Sequence, residues 1–160
     1  MGKKFFTGIC IVLVVLILSI FGWSYIHLSK AEDTATGLAA DPSAFTKTDS
    51  QGPVAISVQW LNPEDLNADS LQLNLSMNTH SVNLDEFDVA KNSEVYIDNQ
   101  IITSGLEVEK QGSGHHVSTL LKVPVKKSGI VINMKQAKTI KLVVKDLGNI
   151  PQRVLVWNVN

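Results

Sequence analysis

The chain of 160 residues has a single cysteine, Cys10, which excludes an internal disulfide and any paired-cysteine zinc or redox site. It also lacks an excess of charge: 14 Lys+Arg stand against 15 Asp+Glu, so no bulk field draws it to nucleic acid or to an acidic polymer. No glycine-rich phosphate loop or dinucleotide fingerprint occurs. The triplet Gly112-Ser113-Gly114 lacks the strand–turn–helix setting of a nucleophile elbow, and no ordered Ser/His/Asp set accompanies it. Beyond the N-terminal region no helical stripe exceeds two turns, and 64–69 is the one candidate for a short helix. These absences leave little for catalysis to use, and the sequence reads as a non-enzymatic protein.

The apolar residues are concentrated at one end. After Lys3 and Lys4, residues 5–28 are uncharged, and 9–21 consist almost entirely of Ile, Val and Leu. As a helix, 5–28 would extend about 36 Å at about 1.5 Å per residue, enough to cross a hydrocarbon core of about 30 Å. Trp23 and Tyr25 lie at the far end, where amphipathic rings favour the interface, and the two lysines mark the near end as cytoplasmic. The expectation is a single N-terminal transmembrane anchor over 1–28 that places the rest of the chain outside the cytoplasm. A cleaved secretory signal is the alternative, with small residues at Ser29 and Ala31, although the apolar run is longer than signals use. Cys10 lies inside the run rather than just after it, which excludes a lipoprotein anchor, and it reads as a small buried hydrophobe.

Residues 29–52 are dominated by small and polar types, with only Leu38 and Phe45 sizeable and apolar. Such a stretch buries too little surface to offset its ordering entropy and reads as a flexible tether. Docking of Phe45 on the domain edge is the lesser alternative.

From residue 53 to 160 the pattern becomes period two. Val54, Ile56, Val58 and Trp60 alternate with smaller or polar neighbours, as do Leu71, Leu73, Leu75 and Met77. Ile140, Leu142 and Val144 alternate with Lys141 and Lys145, and Val154, Val156 and Asn158 with Leu155, Trp157 and Val159. Alternation of this kind marks antiparallel strands covered on one face. Shorter candidates are 82–84, 94–97, 100–103, 106–110, 117–125 and 129–134, with Asp98-Asn99 as a hairpin turn. The expected fold is an all-β antiparallel sandwich of seven to nine strands, immunoglobulin-like or cupredoxin-like, without the Cys–Trp–Cys marker of true immunoglobulin domains. Trp60 and Trp157 read as core residues rather than sugar platforms. Lys135, Lys138, Lys141 and Lys145 recur on the polar sides of the last strands. They form either a strip for anionic lipid or cell-wall polymer, or a solvated face that discourages aggregation, and the second reading is preferred.

Three of the four histidines fall in two short motifs, MNTHSVNLD (77–85) and GSGHHVS (112–118). The apolar phase changes from odd to even around 78–81, which requires a bulge or a crossing between sheets. His80 shares the phase of Val82 and Leu84, and His115 that of Val117 and Leu121, so both are expected to turn inward at strand ends, with His116 pointing the other way. Neutral imidazoles at a loop-rich rim suit copper or zinc, with Met77 favouring Cu(I) and a carboxylate such as Asp85 or Asp88 favouring zinc. The candidate metal ligands are therefore His80, His115, His116 and Met77. The competing reading has the Asn-Thr-His-Ser run satisfy backbone groups and Gly-His-His shape a turn. A calcium site at Asp85, Glu86 and Asp88 is weaker, because no glycine-punctuated acidic loop surrounds them.

The pairing of MNTHSVNLD with a downstream GHHVS resembles a pattern in uncharacterised exported proteins with one N-terminal apolar segment, over residues 54–159. The resemblance implies export and anchoring and carries no activity. In size and strand number the domain also resembles cupredoxin-like proteins, from which it departs by lacking the copper-binding cysteine. The leading functional expectation is a membrane-tethered, extracytoplasmic binding or accessory module for a protein or envelope partner. Copper or zinc handling is the alternative.

Overall fold

A computed structural model of the chain describes residues 41–127 and 130–159, and the expected anchor over 1–28 and most of the expected tether over 29–52 lie outside them. In chain order the strands are β1 (Thr46–Asp49), β2 (Val54–Trp60), β3 (Ser70–Thr79), β4 (Ser93–Ile97), β5 (Gln100–Ile102) and β6 (Glu107–Ser113). They continue as β7 (His116–Pro124), β8 (Lys126–Lys127), β9 (Ile130–Val131), β10 (Thr139–Leu147) and β11 (Ile150–Asn158). The domain is all-β, and its described residues include no helix long and apolar enough to cross a membrane.

Five strands form one sheet in the order β1-β2-β3-β7-β6, and four form a second in the order β11-β10-β4-β5. The short β8 and β9 pair only with each other. Every pairing is antiparallel. Alternation places Val54, Ile56, Val58, Leu71, Leu73, Leu75 and Leu121 on the inner face of the first sheet, and Val95, Ile97, Ile140, Leu142, Val144, Leu155 and Trp157 on that of the second. All of them belong to one continuous hydrophobic core, so the sheets form a β-sandwich-like pair covered on their inner sides.

The turns follow from their residues. Ile97 pairs with Gln100, which leaves Asp98-Asn99 as a two-residue loop; Asp98 has φ 51, and its carboxylate accepts the amides of Lys138 and Thr139 at 2.9 Å. Leu147 pairs with Ile150 around Gly148-Asn149, both with positive φ, as a type I′ turn requires.

Several boundaries differ from the sequence expectation. Residues 41–52, read as tether, belong to the domain: a 3-10 turn at Pro42–Phe45 leads into β1, which pairs with β2 along its length. Phe45 packs edge-on against Trp60 with ring centroids 5.8 Å apart, so its docking, the lesser alternative, is what occurs. Residues 64–69 form turns rather than a helix, and 82–84 form no strand. Of the strand expected over 129–134, the described residues form β9 followed by a turn.

Candidate functional site

The two histidine motifs meet at one end of the first sheet. In the β3–β7 register Met77 lies opposite Val117 and Asn78 opposite His116. Beyond Thr79 the chain leaves the sheet and crosses over the end of the β6–β7 hairpin. It is held there by a dense set of hydrogen bonds. The Thr79 amide donates to His115 O at 3.0 Å and the Leu84 amide to Gly114 O at 2.9 Å. In return, the Gly114 amide donates to Asp85 Oδ1 at 2.7 Å. Lys110 Nζ donates to Leu84 O at 3.0 Å and to Asp85 O at 2.5 Å. The Thr79 hydroxyl ties the same corner to Pro53 O at 2.7 Å.

The hairpin's own geometry depends on glycine. Gly112 has φ 80, and a Cβ there would stand 2.3 Å from His116 O. A side chain at that position cannot coexist with the observed pairing, because the facing atom is backbone.

The histidines themselves are exposed, which corrects the expectation that His80 and His115 turn inward. β3 ends at Thr79 and β7 begins at His116, so His80 and His115 lie outside the strands and no strand phase governs them. His115 Nδ1 bonds Val82 O at 2.9 Å, and His116 Nδ1 bonds Asn78 Oδ1 at 2.8 Å. Both acceptors are oxygens, so Nδ1 is the donor in each ring. His80 has no hydrogen-bond partner among the described residues. Met77 is 0 % exposed and faces the core, on the opposite side of the sheet from Asn78 and His116. The structure thus brings the two motifs together while separating Met77 from the imidazoles. Among the described residues no three His, Cys, Asp or Glu side chains are grouped as metal ligands. The carboxylates serve the backbone instead: Asp85 holds Gly114, and Asp88 Oδ1 accepts the Lys91 amide at 3.0 Å.

The lysines of the last strands are partly neutralised. Lys145 pairs with Glu94, and Lys141 Nζ lies 3.8 Å over the Tyr96 ring, an arrangement of the cation–π kind. The hydrogen bond from Lys145, supported by the Tyr96 hydroxyl, lowers the Glu94 carboxyl below its ordinary range.

Sequence reasoning missed two features. The first is an open depression of about 690 Å³ between the β4–β5 hairpin and residues 131–137. Its lining includes Asn99, Gln100, Asn133 and Gln136 beside Ile97, Val131 and Ile132. No periodic pattern marks amides scattered over two separate segments. The second is Arg153, 0 % exposed, whose guanidinium bonds Asp49 Oδ1 at 2.6 Å and Gln51 O at 2.5 Å. It shares the inward phase of Leu155 and Trp157, and that alternation was the available signal.

No protein-family model, curated protein or solved structure matches the chain. The likeness of its two motifs to exported single-anchor proteins therefore rests on those motifs alone.

Proposed function

We propose that the chain is a membrane-tethered, extracytoplasmic β-sandwich of immunoglobulin-like or cupredoxin-like type that acts as a non-enzymatic binding module. The uncharged run over 5–28 behind Lys3 and Lys4 supports the tether and its direction. The observation that carries the binding reading is the 690 Å³ depression, lined by Asn99, Gln100, Asn133 and Gln136 together with the apolar Ile97, Val131 and Ile132. Amides offer both donors and acceptors without charge, and a concave apolar floor with a few polar groups is what small ligand sites have in common. The ligand it suits is uncharged and rich in hydroxyl or amide groups. Asp98 lies in the same lining, but its Oδ1 is occupied by the Lys138 and Thr139 amides.

Two measurements test this. A full-length Cys10→Ser/Asn133→Cys variant in intact cells should react with a membrane-impermeant maleimide; protection until lysis would place the domain inside and end the extracytoplasmic reading. Neutral oligosaccharides and uncharged peptides should raise the melting temperature of the full chain, and Asn133→Ala/Gln136→Ala should abolish that rise. No shift with any of them, or an equal shift in the variant, would end the binding reading.

A second reading, copper or zinc handling, is favoured by one observation: both His115 and His116 donate Nδ1 to an oxygen. That arrangement orients metal-binding imidazoles in general, leaving Nε2 as the free ligand atom. Metal analysis of the full chain beside a His115→Ala/His116→Ala variant decides it, with histidine-dependent stoichiometric metal as the supporting result and equal or no metal as the opposing one.

A further inference from the structure

We infer that β11 is the interface through which two copies of this chain pair, edge to edge and antiparallel, joining their four-stranded sheets into one. The two sheets have four edge strands, β1, β6, β5 and β11. Three of them carry features that discourage pairing with another chain. β5 is three residues long. β1 is four residues long and carries Lys47 and Asp49. β6 presents Glu107, Glu109 and Lys110, all exposed. β11 has none of these features over most of its nine residues. Its single charge, Arg153, is turned wholly into the core, and its proline, Pro151, lies next to the turn.

The backbone of β11 is open on the side away from β10. Val159 N donates to Lys138 O, so alternation directs the amides of Trp157, Leu155 and Arg153 toward β10. The amides and carbonyls of Gln152, Val154, Val156 and Asn158 consequently face outward. β1 runs beside β11, but side chains join β11 to β1 and to the turn before it, through Arg153 to Asp49 and Trp157 Nε1 to Phe45 O at 2.7 Å, and no strand pairing links the two among the described residues. The outward side chains are apolar at the centre, with Val154 48 % and Val156 43 % exposed.

These four residues match themselves. A twofold axis at Leu155 sets Val154 of one copy opposite Val156 of the other, and Gln152 opposite Asn158. Valine then meets valine, amide meets amide, and the outward backbone groups of all four find partners. The charge pattern is complementary in the same sense, since neither strand brings an exposed charge to the seam. An isologous contact of this kind closes on itself and does not propagate, and main-chain hydrogen bonds with alternate side chains in contact are how added strands are held.

The test uses the full chain in mild detergent under reducing conditions, so that Cys10 cannot cross-link copies. Sedimentation across a concentration series should reveal a dimer, and Val154→Lys should weaken it at least tenfold, whereas Val108→Lys on β6 should leave it unchanged. Both valines are exposed, so circular dichroism melting should confirm that each variant folds. Hydrogen exchange should show the amides of Gln152, Val154, Val156 and Asn158 becoming protected as concentration rises. A monomer at every concentration overturns the inference. A dimer that survives Val154→Lys, as association through another surface would give, or a dimer with those four amides unprotected, overturns it as well.

Discussion

Arg153 is the costliest single residue in the domain to bury, since an unpaired guanidinium in the core loses its hydration without return. Its partners are Asp49, the carbonyl of Gln51 and, at 3.3 Å, the carbonyl of Leu147. Removing the charge of Asp49 alone leaves the cation stranded, so Asp49→Asn should lower stability by about 3 kcal/mol in a denaturant titration. Burial raises the Asp49 carboxyl, but the Gln51 backbone and side chain together with Arg153 outweigh it and hold it below the ordinary 3.8. A carboxyl lowered in the folded state contributes stability that is complete above its unfolded value and is lost as pH falls through the folded one. Exchange of the Trp157 indole proton, bonded to Phe45 O, should therefore accelerate below pH 3.8. Thr119 presents the opposite case. Its hydroxyl is buried with no hydrogen-bond partner among the described residues, so the isosteric Thr119→Val should gain about 1 kcal/mol in the same titration. Arg153 was legible in its phase with Leu155 and Trp157. Its pairing was not, because Asp49 lies 104 positions away in a segment with no apolar alternation.

At the scale of elements, the hairpin β6–β7 and the loop that crosses it form one unit, fastened by Asp85, Lys110 and the His115 ring nitrogen. Gly112→Ala would force a Cβ into His116 O and should cost about 2 kcal/mol of strain, seen as a lower melting temperature and faster exchange of the Thr79 amide. The strands that buried one face were readable: β2, β3, β7 and β10 all follow their alternating residues closely. β1 was hidden because Thr-Lys-Thr-Asp carries no apolar residue and is recruited by Phe45 and Arg153 from outside the strand. Residues 82–84 imitated a strand because Val82 and Leu84 do alternate. Their backbone groups, however, bond His115 and Gly114 of the hairpin rather than a neighbouring ladder. The register sets Asn78 of the first histidine motif beside His116 of the second. What spacing could not convey is that His115 uses Nδ1 to fasten the loop, that His116 uses its own to hold Asn78 of β3, and that Met77 faces the other way.

For the molecule as a whole, the core draws on both sheets, and β1 joins them at one side. Arg153 and Trp157 of β11 bond Asp49 of β1 and Phe45 just before it, across 104 and 112 positions of sequence. Contacts closing loops that long cost the most chain entropy and form late. A four-residue edge strand, paired on one side only and tied to the other sheet by a few side-chain bonds, also belongs to the least stable part of a fold. Brief departures of β1 should thus be the most frequent large opening of this domain. Each one uncovers the edge of β2, a seven-residue strand without a charged side chain. The ion pair at Asp49 is in this sense a kinetic guard, setting how often a sticky strand meets the solvent and, with it, how crowded the protein can become before it aggregates.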